Sequence, residues 1–200
     1  MAIIKMQPVK AGTSYSLKAI LDYVMNPVKT QSGLLISAKD CMAECAYKQM
    51  LMTKLDYKQN TGRQYVHMIQ SFSVDDKLTP EIAHEIGQKL LTYFEGFQGV
   101  VSTHIDRKHL HNHIVLNSVN WKTGYKWQQT PKDLQQLKSY SDELCREYGL
   151  SVISSNRANG WKSYGENKAL HENKCWKANL AKAITECIAV STNREDFVHY

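Results

Sequence analysis

Along this chain apolar side chains recur either every second residue or every third and fourth, and the two periods mark out strands and helices. Residues 2–9 (AIIKMQPV) read as a first strand, closed by Pro8 and Gly12, with Thr13 or Ser14 as the cap of a first helix. In SLKAILDYVMN, Leu17, Ile20, Leu21 and Val24 form one helical stripe, and Asp22 and Tyr23 lie at its edge. Asn26-Pro27 ends this helix, because a residue before proline avoids the helical region. Residues 34–37 read as a short strand or loop, and Asp40 as the cap of a long helix to about Tyr57. Residues 64–74 (QYVHMIQSFSV) alternate strongly. Tyr65, His67, Ile69 and Ser71 face one way, and Val66, Met68, Gln70 and Phe72 the other. Thr79-Pro80-Glu81 opens a helix with Ile82, Ile86, Leu90, Leu91 and Phe94 on its apolar face. Two more strands, residues 99–106 and a run from His111, are joined by a turn near residues 107–110.

Thr130-Pro131 starts another helix, through about Tyr148, with Gly149 at its end, and residues 150–153 read as a last strand. Residues 154–165 are polar and glycine-bearing, a linker or ordered loop, and residues 167–190 are helical, with Lys168, Lys174, Lys177 and Lys182. Residues 196–200 look like the start of a further apolar helix, so a longer protein is expected. The order β-α-(β)-α-β-α-β-β-α-β-α predicts an α/β sandwich of two or three layers, with a central, mainly antiparallel sheet flanked by helices. Central strands would hold the histidines, and helices would cover the opposite face. The expected division is a domain over residues 1–153 and a basic helical extension over 154–200.

Two hundred residues, 42% of them apolar, suffice for one sizeable core. No run approaches a membrane helix, and the first residues lack a secretory pattern. Five cysteines without a CxxC pair read as reduced thiols of a cytoplasmic protein. The net charge of +6 is uneven: residues 1–63 carry +5, residues 64–119 carry −2, and residues 156–200 carry +2. Basic ends around a histidine-rich middle suit a nucleic-acid substrate.

The chemistry concentrates in HIDRKHLHNHIVLNSV, residues 104–119, whose first ten residues hold four of the eight histidines. On a strand His111 and His113 project to one face, and a hairpin brings His104 beside them. Three imidazoles with open positions suit a divalent metal, Mn²⁺ or Mg²⁺, the softer manganese binding more tightly. His109 shares the alternation but falls in the turn. His67 reads as a hydrogen-bonded sheet histidine. Trp121, Tyr125 and Trp127, interleaved with Lys122 and Lys126, pack on the sheet or stack on bases. The lysines after residue 156, Lys162 among them, form a solvated face or a phosphate clamp.

HIDRKHLHNHIVLN fits the pattern H-x-D-x-x-x-x-H-x-H through His104, Asp106, His111 and His113 without a gap. It resembles the histidine motif of conjugative relaxases in the HUH endonuclease superfamily. DYVMNPVKT is similar to their motif for the nicking tyrosine, here Tyr23. HMIQSFSVDD with TPEIAHEIG is similar to the motif whose serine contacts DNA, here Ser71. The resemblance covers roughly residues 1–165 and is nearest the single-tyrosine mobilisation enzymes of MobP type; that this tyrosine precedes the histidine pair favours a relaxase over the related replication initiators. It implies strand-specific nicking and rejoining at an origin of transfer through a 5′-phosphotyrosine. Tyr23 would act as nucleophile, with Asp106 taking its proton or orienting a histidine. The resemblance implies a DNA contact at Ser71, and composition adds Trp121, Lys122, Lys126, Trp127 and Lys162 as expected contacts. The partners would be origin DNA, single-stranded with an adjacent hairpin or duplex, an accessory DNA-binding protein and a coupling protein. Tyr15 competes with Tyr23 as nucleophile. A non-cleaving origin-binding module and a water-using metal-dependent nuclease are the alternatives from other classes.

Overall fold

A computed structural model of the chain describes residues 2–8, 14–152 and 176–191. Thr13, Ile153, Lys162, Lys168, Lys174, the linker 154–165 and the segment 196–200 lie outside the described residues. The chain divides into two compact units, Met1–Ile153 and Ser154–Tyr200. In the first, β1 (Ile3–Met6), β2 (Ile36–Lys39), β3 (Tyr65–Ser71), β4 (Gly99–His104) and β5 (His111–Asn117) form one antiparallel sheet in the order β1-β3-β5-β4-β2. Four helices accompany it: α1 (Ser14–Val24), α2 (Ala46–Asp56), α3 (Pro80–Thr92) and α4 (Pro131–Glu147). In the second unit the described element is α5 (Trp176–Val190).

Strand alternation sends each strand's side chains into two cores. Val66, Met68, Phe72, Val101, Ile114 and Leu116 pack with Ala83, Ile86, Leu90 and Leu91 of α3 and Leu137, Leu144 and Cys145 of α4. Val100 and Val115, on the other face, pack with Leu17, Leu21 and Val24 of α1 and Ala46 and Met50 of α2. The sandwich therefore has three layers. The central strands hold the histidines, as expected. The face they share is not left open, because α1 and α2 cover the part of it around Val100 and Val115.

Between the sheet and α3 runs a chain of polar side chains. Gln88 Nε2 donates to Ser37 Oγ (2.6 Å), which lies 2.8 Å from His84 Nε2, and His84 Nδ1 lies 2.9 Å from Thr103 Oγ1. Thr103 donates to Asn112 Oδ1 (2.7 Å), and the Asn112 amide donates to Gln70 Oε1 (3.0 Å) and to the Ala83 carbonyl (2.7 Å). Gln70 Nε2 donates to Ser141 Oγ (2.8 Å). Because the Thr103 proton points at Asn112, His84 must donate from Nδ1 and accept at Nε2. Every donor then points the same way, and His84 is neutral, its pKa lowered by burial. The chain joins β2, β4, β5 and β3 to α3 and α4.

Three expectations are corrected. Asp40 does not cap a helix: it stands at φ +56 and pairs with Lys39. A 3₁₀ turn, Ala43–Cys45, precedes α2, and Gln49 Oε1 caps the Met42 N–H from inside the helix. Residues 150–152 form no strand. Gly149, at φ +66, closes α4, and the Leu150 N–H turns back to the Cys145 carbonyl while the Ser151 N–H goes to Asp76. The strand expected to reach Asp106 ends at His104, so Asp106 belongs to the loop.

Gly87 sits against this polar chain: a Cβ there would come within 2.6 Å of Asn112 Nδ2 and 2.9 Å of Val101 Cγ2. Alanine favours helices over glycine by about 1 kcal/mol, whereas overpacking a buried contact costs about 1–3 kcal/mol. Gly87→Ala is expected to lower the urea midpoint; a raised midpoint would show that α3 can lift off the sheet freely.

Candidate metal centre

The hairpin register places His104 directly opposite His111 and Ser102 opposite His113, so alternation stacks the three imidazoles on one face. One ring nitrogen from each lies within 4.8 Å of the others. All three are buried. Each ring has an outer nitrogen with a protein neighbour. His104 Nε2 donates to the Val24 carbonyl (2.9 Å), and His111 Nδ1 donates to the His109 carbonyl (3.3 Å). His113 Nδ1 lies 2.9 Å from His67 Nε2. The inner His104 Nδ1 and His113 Nε2 are buried with no hydrogen-bond partner.

Buried unpaired nitrogens need an explanation, and a cation supplies it. Ligating histidines use one nitrogen for the metal and the other for a backbone carbonyl or side chain, and each of these three has its outer nitrogen so engaged. Burial first, and then neighbouring imidazoles, pushes His113 down to about 2. Burial, with His104 as the second cause, brings His67 down to about 4. Burial also lowers His104 and His111. The rings are thus kept neutral, the form that binds a metal. The donor set fits a divalent ion with open positions.

Tyr23, in the last turn of α1, lies edge-on to this cluster, its ring centroid 5.8 Å from that of His104 and 5.6 Å from that of His113. The Val24 carbonyl that holds His104 is the next residue's, so one hydrogen bond ties the end of α1 to the cluster. Tyr15, in the first turn, is 75% exposed. Beyond α1 the loop is fixed to the end of β4 by the bonds Ile105 N–H to Lys29 C=O (3.0 Å) and Thr103 N–H to Leu35 C=O (3.0 Å). Lys29 Nζ consequently stands 3.1 Å from Asp106 Oδ2 and 4.5 Å from the Tyr23 ring centroid. Burial works against the Asp106 charge, but Lys29 outweighs it and holds the carboxyl below its usual range.

Tyr23, Ser71, His111 and His113 line a cleft of about 280 Å³ together with Lys5, Gln7, Arg107 and His109. Ser71 lies opposite His111 in the sheet register. His67 is the expected sheet histidine, with a second use as the neighbour of His113. The remaining sequence-predicted contacts are elsewhere. Residues 121–127 come after the Asn117 end of β5, roughly 20 Å along the strand from His111. There Lys122 pairs with Glu95 (3.0 Å), Lys126 donates to the Thr61 carbonyl, and the Trp121 carbonyl accepts from Tyr57. The Trp127 ring lies 5.1 Å from that of Phe97 and 5.5 Å from that of Phe94. Trp127 is thus packed, while Trp121 and Tyr125 stay exposed.

Lys5, Gln7 and Arg107, which line the cleft, and Lys29, beside Tyr23, are residues that sequence reasoning misses. Lys5 is legible from alternation, since Ile4 points into the core and its neighbour must face the other way. Arg107 and Lys29 sit in loops, where no period operates.

The chain matches the family described as "Relaxase: MobA/VirD2-like, nuclease domain" over residues 23–150. It is 29% identical to the group II intron-interrupted relaxase LtrB of Lactococcus lactis subsp. cremoris (strain MG1363), over 90% of this chain and 39% of that protein. It is 31% identical to a protein rlx of Staphylococcus aureus, over 96% of this chain and 60% of that protein. The chain thus spans only part of each relative's length. Its fold is similar to the Mn-bound MobM relaxase domain in complex with plasmid pMV158 oriT DNA. The TM-score is 0.56, at 14% identity, covering 84% of this chain and 98% of that one.

The buried histidines set a pH dependence. Unfolded imidazoles take up protons near pH 6.5, whereas the folded ones do so only further down. Metal-free stability is therefore full above about pH 6.5 and falls as pH drops, by up to about 1.4 kcal/mol per pH unit for each such group. Urea unfolding in chelator at pH 7 and pH 5 should show the loss, and equal midpoints would contradict the neutral cluster. In calorimetric titration with Mn²⁺, His67→Phe should weaken binding roughly 10–100-fold, and His111→Ala should weaken it more.

Proposed function

The chain belongs to the MobA/VirD2-like relaxases through their nuclease domain, and from that premise we propose that it nicks and rejoins one DNA strand at an origin of transfer. The observation that carries the reading is the placement of Tyr23, edge-on to a metal-competent histidine cluster and tied to it through Val24. The MobM domain's manganese and oriT DNA, and the relaxase name of the lactococcal relative, support the same chemistry.

Tyr23 Oη attacks the scissile phosphorus. The P–O3′ bond breaks, leaving a 5′-phosphotyrosine and a free 3′-hydroxyl. The phenolic proton passes to solvent in the open cleft, and the departing 3′ oxygen takes one up. Because a phosphodiester is exchanged for a phosphotyrosine ester, rejoining is the same step reversed and needs no ATP. His104, His111 and His113 would hold a divalent cation, Mn²⁺ or Mg²⁺, which would supply Lewis-acid neutralisation of phosphate charge. Ser71, at the cleft wall, hydrogen-bonds the strand, and Lys5 and Arg107 meet its flanking phosphates. Asp106 serves catalysis by holding Lys29, whose ammonium stands 3.1 Å from its carboxylate.

In this reading residues 1–153 are the nuclease domain and residues 154–200 a basic helical extension, with Lys162 available for phosphate. The two compact units support that division. Among the described residues no helix is long and apolar enough to cross a membrane. We place the enzyme in the cytoplasm, where Cys41, Cys45, Cys145 and Cys187 stay reduced. Its partners there are single-stranded origin DNA with an adjacent hairpin or duplex, an accessory DNA-binding protein and a coupling protein.

Labelled single-stranded origin DNA should form a covalent adduct that survives denaturing electrophoresis. Tyr23→Phe should abolish it while DNA affinity persists, and Tyr15→Phe should leave it intact. Nicking without adduct in Tyr23→Phe would make water the nucleophile. Binding without any cleavage by the wild type would reduce the chain to an origin-binding module.

A further inference from the structure

Lys29 stands beside the cleft with its own part in the reaction unassigned. Its side chain is only 25% exposed. Its carbonyl is fixed by the Ile105 N–H, one residue before the Asp106 that holds its ammonium. The next residue, Thr30, is fully buried and donates to the Asn26 carbonyl. This lysine is therefore built in at both ends. Its ammonium lies over the Tyr23 ring, 4.5 Å from the centroid, and its charge is felt by both His104 and His113. An ammonium has three donors. Asp106 and Tyr23 are its side-chain hydrogen-bond partners, which leaves a third donor.

A group fixed this close to the attacking residue is close to whatever that residue attacks. Attack places charge on the non-bridging oxygens of the phosphate, and fixed donors at that point act most strongly in the transition state. We propose that Lys29 is a catalytic residue whose ammonium binds a non-bridging oxygen of the scissile phosphate while Tyr23 attacks. Asp106 is its positioning residue. Lys29 keeps all three protons throughout: it donates a hydrogen bond and gives up nothing. Phosphorus gains the bond to Tyr23 Oη and loses the bond to O3′, as in the scheme on which this assignment rests.

The test is adduct formation on origin oligonucleotides whose scissile linkage is a phosphate or either diastereomer of a methylphosphonate, which lacks one charged oxygen. On the phosphate, Lys29→Met should lower kcat about 100-fold with little change in KM, and Lys29→Arg should restore part of it. With one methylphosphonate diastereomer the Lys29→Met defect should vanish, because the oxygen that Lys29 binds is gone. An equal defect on all three substrates, or one confined to KM, would overturn the proposal. Asp106→Asn should slow wild type but add nothing in the Lys29→Met background; a second, independent loss would remove Asp106 from the assignment. Manganese affinity should be unchanged in Lys29→Met, which separates a chemical role from a damaged site. If Lys29→Met loses manganese, Lys29→Gln carries the same comparison. Adduct formation by Tyr23→Phe would instead refute the nucleophile, whatever Lys29 does.

Discussion

The site depends on a register, and the register is held from behind. Thr103, Asn112 and Gln70 are each next in sequence to a residue of the cleft or the cluster: His104, His111 with His113, and Ser71. A slip of one residue in any of these strands would exchange the two faces, setting amides where the imidazoles stand and burying imidazoles among Ala83, Ile86 and Leu116. The one-directional hydrogen-bond chain from Gln88 to Ser141 forbids that slip, because each member has a donor on one side and an acceptor on the other. A wrong register would leave several buried polar groups unpaired at once, each costing about 1–3 kcal/mol. Apolar packing alone would not discriminate so sharply, since Ile, Leu and Val substitute for one another at modest cost.

On the front face the balance is opposite. There the protein buries polar atoms and leaves some of them unmet, with His104 Nδ1 and His113 Nε2 turned toward one another's neighbourhood. The rear chain is complete without a ligand and the front cluster is not. That asymmetry separates a structural polar network from a functional one, although both are built from buried, neutral histidine.

Much of this is legible in the sequence because strand alternation is strict. It puts His104, His111 and His113 on a common face, and His67 with Ser71 on that same face of the neighbouring strand. Helical periodicity defines the α1 stripe and so the marginal position of Tyr23. Loops carry no period, and there the reading fails. Alternation extends β4 to Asp106, which stands in a turn, and no pattern marks Lys29 or Arg107. The segment from Trp121 to Trp127 is suggestive in composition, yet its Trp127 ring faces Phe94 and Phe97, and Lys122 answers Glu95. Composition cannot distinguish an aromatic that stacks on a base from one that closes a core. The end of α4 misleads for a related reason: Leu150 is apolar and buried, as a strand residue would be, but the helix has already taken its N–H.

The hydrogen bond from His104 to the Val24 carbonyl makes the helix of Tyr23 an outer neighbour of any ion the three histidines hold. Whatever a bound cation contributes to holding the end of α1 in place, the placed helix contributes equally to retaining the cation, since coupling between two equilibria is reciprocal. In the proposed reaction, once Tyr23 is esterified to DNA, the strand itself would restrain that helix. The ion is then enclosed by a contact it did not need when it first bound, and it should exchange with solvent more slowly in the covalent complex than in the free protein. In that reading the covalent state would keep its ion through to resealing.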